Sequence, residues 1–130
     1  MCLEIIATIA PNAKARISAK RLSELSGLHV ASFKNDGLSS LHFSVTGGCS
    51  CEFLSDNAEF ESDTWALASD HLPALALAIS ILAKETGRFS FLARWLTGER
   101  ARRTEKIRSA QLVKLVAENR LGNNVLYDST

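Results

Sequence analysis

The sequence predicts a single α+β domain built on one antiparallel sheet with its helices on one face. Three observations carry this. Strand-like and helix-like segments follow one another in the order strand, helix, strand, strand, helix, strand. The strand-like segments alternate apolar and polar residues, as a sheet with one dry face requires. The 130 residues fit one domain, residues 1–130, and a chain of this length buries about two-thirds of its unfolded surface, enough for a core without staples.

The first strand runs from Leu3 to Ala10, with Leu3, Ile5, Ala7 and Ile9 on one face and Glu4, Ile6 and Thr8 on the other. Pro11-Asn12 breaks it, and Asn12 is placed to cap a helix from Ala13 to Ser26. Ile17, Leu22 and Leu25 give that helix its apolar stripe, and Gly27 suits its left-handed end. Leu28 to Phe33 reads as the second strand, and Asn35-Asp36-Gly37 as a tight turn. Ser39 to Thr46 is the third strand: Leu41, Phe43 and Val45 point one way, and Ser40, His42, Ser44 and Thr46 the other.

An acidic loop follows, with Trp65 expected to tuck it onto the body. Asp70 is then placed to cap a helix from His71 to Thr86, with Pro73 in its first turn and Gly87 at its end. That helix is apolar nearly all round and should be largely buried. Arg88 to Leu96 is the fourth strand, with Phe89, Phe91, Ala93 and Trp95 toward the core. Thr97-Gly98-Glu99 reads as a turn. Arg100 to Arg108 is either a charged edge strand paired with the fourth or the front of a long helix. The strand is preferred, because Ser109 then caps a helix from Ala110 to Arg120 striped by Leu112, Val113 and Val116 and closed by Gly122. Asn124 to Tyr127 forms a short last strand.

This order is the split βαβ pattern, βαββαβ, of ferredoxin-like folds, with a C-terminal β-α(-β) extension. It implies a sheet ordered 4-1-3-2 with the added strand beside the fourth. Strand one then runs antiparallel to strand three, so Cys2 should approach Cys49 and Cys51, and strand two should bring His29 to the same end.

Three cysteines and a histidine are the ligand set of a zinc site, or of a soft-metal site with one open position. The candidate ligands are Cys49, Cys51, Cys2 and His29. Cys-x-Cys is a weak motif: on an extended strand the two residues stand about 6.6 Å apart on one face, loose for a shared ion. Gly47-Gly48 relaxes this if the strand ends before the pair. On residue type alone, small thiols packed into a tight loop come first. The sheet face away from the helices offers a second candidate, with Glu4, Thr8, His42, Ser44, Ser90 and Arg94 on it. Glu4 should stand opposite Arg94, as a plain cross-strand ion pair or as part of a surface where His42 and Arg94 hold an anionic ligand.

Global charge singles out no partner, since the net charge is only +1. Locally, the six acidic and no basic residues between Cys51 and His71 oppose a basic stretch from Arg100 to Arg108. Solvated faces of opposite sign, paired with each other, account for both. No phosphate-binding glycine loop, RNA-recognition motif or catalytic constellation stands out, which argues against nucleic acid. Leu3 to Ala10 is a poor signal peptide, and Leu72 to Ala83 is too short to span a bilayer. The expectation is therefore a cytoplasmic protein without a membrane partner, its thiols reduced.

The element order, the segment Gly47-Gly48-Cys49-Ser50-Cys51 and the segment Asn119-Arg120-Leu121-Gly122 resemble small bacterial ferredoxin-like proteins of unknown function. The resemblance implies the fold and carries no activity or site residue. Three functional readings follow, in order. The first is a non-enzymatic binding or interaction module, a homo-oligomer through the open sheet face or an edge strand. The second is a thiol-based metal site, zinc-like, or a redox site at Cys49 and Cys51, helped by Cys2 and His29. The third is a small-molecule enzyme using Glu4, His42, Ser44 and Arg94 on the open face.

Overall fold

The computed structural model describes residues 2–56, 63–96 and 100–130. The expected turn at Thr97-Gly98-Glu99 and the acidic Glu59 and Glu61 lie outside them. Among the described residues the chain forms six strands and three α-helices. These are β1 (Leu3–Ile9), α1 (Ala19–Ser26), β2 (His29–Asn35), β3 (Leu38–Ser44), α2 (Leu72–Thr86), β4 (Phe89–Trp95), β5 (Arg103–Ile107), α3 (Ser109–Ala117) and β6 (Val125–Ser129).

One mixed sheet runs β2-β3-β1-β4-β6-β5. Its first four strands take the expected order and pair antiparallel. The C-terminal part departs from expectation. β5 does not pair with β4; β6 occupies that place, antiparallel to β4, and β5 lies outside it, parallel to β6. Composition explains the exchange. β6 carries Val125 and Tyr127, both fully buried, whereas β5 reads Arg-Thr-Glu-Lys-Ile. The apolar strand takes the inner position and the charged one covers the edge, where lysine and arginine discourage further pairing. Parallel neighbours need a crossover, and α3 supplies it.

Leu3, Ile5, Ala7 and Ile9 of β1 share a core with Leu41, Phe43, Phe89, Phe91 and Ala93. Phe43 and Phe91 meet with ring centres 6.3 Å apart, and each such side chain contributes about 1.5–3 kcal/mol on burial. All three helices add to this cluster, α1 through Leu22, α2 through Leu75, Ala78, Ile79 and Leu82, and α3 through Leu112 and Val116. Trp65 also joins it, and its indole N–H donates to the Ala93 carbonyl at 3.0 Å.

Several boundaries move for local reasons. α1 begins at Ala19, because Ser18 rather than Asn12 caps it, its Oγ accepting from the Arg21 N–H at 3.1 Å. The chain before it is held by tertiary partners instead, with Lys14 N–H on the Thr86 carbonyl at 3.2 Å. The β2–β3 hairpin turns on Asp36 and Gly37, at φ 51° and 79°, the two-residue loop whose twist matches the strands. Asp70 does not cap α2; a 3-10 turn over Ser69–His71 leads into it, and His71 is its N-cap without a side-chain bond. α3 starts at Ser109 with Arg108 as its cap residue.

α3 also ends early, and Asn119 at φ 58° makes the left-handed exit expected of Gly122. Gly122 serves packing: a Cβ there would lie 2.8 Å from both the Tyr127 hydroxyl and Val125 Cγ2. Arg102 pairs with Asp63 at 3.0 Å, so one contact does join the basic and acidic stretches. No helix among the described residues is long and apolar enough to cross a membrane.

Candidate metal centre

A strand at the end of its ladder has backbone donors to place. The β1–β3 pairing runs from Thr8 opposite Ser40 to Ile6 opposite His42. Beyond it, Ile5 N–H donates to Ser50 Oγ and Leu3 N–H to Cys51 Sγ, both at 3.0 Å. A 3-10 turn over Ser50–Phe53 thus takes over from β3 as the partner of β1. β3 itself stops at Ser44 because the Glu52 carboxylate receives the next two N–H groups, Val45 at 3.2 Å and Thr46 at 3.1 Å. The Thr46 hydroxyl donates to the same carboxylate and is the main reason its pKa lies below the ordinary value. Gly47, at φ 104°, makes the bend that folds the turn back.

Cys49 and Cys51 therefore sit on a turn, not on a strand, and the spacing problem of Cys-x-Cys disappears. Their sulfurs and that of Cys2 all lie within 4.8 Å of one another. A tetrahedral zinc ion with Zn–S bonds of about 2.3 Å needs sulfurs roughly 3.8 Å apart, so a contraction of at most about 1 Å seats one. Cys2 is exposed and the other two are half-buried, which leaves solvent access to a fourth position.

The electrostatics divide the thiols. Cys49 is held below the ordinary thiol pKa, first by a hydrogen bond from the Cys51 side chain, with a smaller one from Cys2. Cys51 is pushed up, chiefly by burial, although the Leu3 N–H works against that. Cys49 is thus the sulfur on which negative charge settles first, and thiolate is the form a metal takes.

His29 arrives at the same end of the sheet. It is exposed and lies against Gly47, where a Cβ would be 3.4 Å from its ring. It does not belong to the group of mutually close ligand atoms, which among the described residues consists of the three cysteines alone.

The residue that sequence reasoning passed over is Ser50. It is fully buried between the two cysteines. Its hydroxyl donates to the Phe43 carbonyl at 2.5 Å, accepts from Ile5, and lies 3.2 Å from His42 Nε2. Since its single proton goes to Phe43, His42 is the donor in that third contact. A serine beside a histidine resembles a nucleophile and its base. Here the oxygen is inaccessible and its proton is committed to the backbone, so the pair positions the turn.

On the open face, Glu4 and Arg94 stand opposite in register and pair at 3.1 Å. Ser44 is fully buried, its hydroxyl accepting from Gly47 N–H at 3.1 Å. His42 turns to Ser50. These residues share a face, but the bonds shown draw them to different partners.

Burial sets the His42 pKa below the ordinary imidazole value; Glu4 opposes the shift and His29 adds to it. The unfolded chain then binds more protons than the folded one as pH drops below about 6.5, so stability falls across that window. His42→Gln, which keeps a donor for Ser50, is expected to flatten this fall. Urea midpoints of both proteins at pH 7 and pH 5 measure it, and equal losses would remove His42 as the cause.

No protein-family model, no curated protein and no solved structure matches this chain.

Proposed function

We propose that the protein binds a soft metal ion through Cys2, Cys49 and Cys51, with zinc the first ion to test and the fourth position open to water or a transfer partner. The observation that carries this reading is the convergence of three sulfurs within 4.8 Å from two distant parts of the chain. Three thiolates with an open position suit zinc and other thiophilic ions and are poor ligands for hard cations.

Leu3 and Ile5 hold β1 against the turn through Cys51 and Ser50, and these bonds bring Cys2 to the other two thiols.

Zinc titrated into reduced, tag-free protein, in competition with a chromophoric chelator, is expected to load a single equivalent. The bound ion should shield three thiols from a thiol reagent, and chelation should restore their reactivity while far-ultraviolet circular dichroism stays unchanged. No uptake, or uptake that leaves all three thiols reactive, would refute the reading.

A further inference from the structure

We propose that a second site, the cavity between the start of α1 and the turn end of β2 and β3, binds a small phosphorylated molecule. Its volume is about 460 Å³, within the range of small-ligand sites, roughly 300–1,000 Å³. Two cations converge there on one neutral oxygen. Arg16 Nη1 donates to Ser39 Oγ at 2.6 Å, and Lys34 Nζ donates to the same atom at 3.2 Å.

Among the described residues no carboxylate is paired with either, and none lines the cavity. Two like charges held at one hydroxyl repel each other, and an anion placed between them turns that repulsion into attraction. Donors remain for it: a guanidinium has five N–H groups and an ammonium three. Ser39, having accepted twice, still has its own proton to give. Ser18 and Ala19, the cap and first residue of α1, line the same space and add the positive end of the helix dipole.

The rest of the lining decides what else the ligand carries. Ile9, Ile17 and Leu41 line the cavity and are themselves buried. The volume exceeds what a phosphate fills, so the ligand has an apolar portion beside its phosphate, as a phosphomonoester of a ring or short chain does. This site shares no residue with the three thiols, and its test is independent of theirs.

Amide-resolved NMR titrations with inorganic phosphate and with phenyl phosphate, at constant ionic strength, provide the test. Saturable shifts are expected at Ala19, Lys34 and Ser39, with phenyl phosphate at least about fivefold tighter, the effect of burying one or two carbons' worth of apolar surface. The double variant Arg16→Gln, Lys34→Gln should lose at least about tenfold in affinity while its spectrum stays dispersed, since both side chains are exposed. Arg108→Gln, at the far edge of the sheet, should bind as the wild type does. The proposal is overturned if the wild type shows no saturation by roughly 10 mM, if it prefers inorganic phosphate, or if the folded double variant binds phenyl phosphate unchanged.

Discussion

Cys49→Ser is expected to weaken zinc binding by about two orders of magnitude while leaving the fold intact. Structural zinc sites with four ligands release about 10–16 kcal/mol, so one thiolate contributes about 3 kcal/mol, roughly a hundredfold in affinity. Cys49 is the informative choice because its sulfur accepts hydrogen bonds from both other thiols and is the first to carry charge. Cys51→Ser should cost a similar factor in metal but also disturb the acceptor of Leu3 N–H. Competition titrations measure the affinities and urea unfolding the stabilities. A Cys49→Ser protein that holds zinc as tightly as the wild type would show that the three sulfurs do not act as one site.

Ser50→Ala is expected to destabilise the protein by roughly 2–4 kcal/mol, more than either cysteine substitution. Removing the hydroxyl strands buried groups: Ile5 N–H loses its acceptor and Phe43 C=O loses a donor. Each group left unsatisfied costs about 1–3 kcal/mol. The side chain is fully buried, so water does not readily replace it. The urea midpoint should fall with the slope unchanged, since the surface exposed on unfolding is the same. A second readout separates positioning from simple loss of stability. Under conditions where the variant is fully folded, zinc affinity should drop by about tenfold, as for other outer-shell partners. Wild-type affinity in the folded variant would make Ser50 structural only.

The meeting of Cys2 with Cys49 and Cys51 was legible because it follows from strand direction. The alternation Leu41, Phe43, Val45 identified β3, and an antiparallel neighbour must begin where β3 ends. What the spacing of Cys49 and Cys51 did not reveal was the 3-10 turn, because its cause is remote: the unpaired donors of Leu3 and Ile5 lie more than forty residues away. Ser50 looked like any loop serine for the same reason. The start of α1 was misplaced at Asn12, because a good cap residue says nothing of the tertiary bond from Lys14 N–H to the Thr86 carbonyl that holds the following residues outside the helix. The places of β5 and β6 turned on a comparison between strands. A segment with Arg103, Glu105 and Lys106 reads as an edge, but only the later Val125 and Tyr127 show which strand displaces it. The cavity beside α1 left no mark in the sequence, because Arg16, Lys34 and Ser39 come from a loop and two strands.

The insertion of β6 between β4 and β5 bears on synthesis at the ribosome. Chain order and spatial order part company there: β5 emerges well before the strand it must pair with. Until residues 125–129 are released, a nascent chain has β4 with one bare edge open to pairing with other chains, and β5, whose charges discourage such pairing, without its partner. A translational pause or premature stop between α3 and β6 would therefore expose the inner edge of β4, which β6 covers in the complete fold.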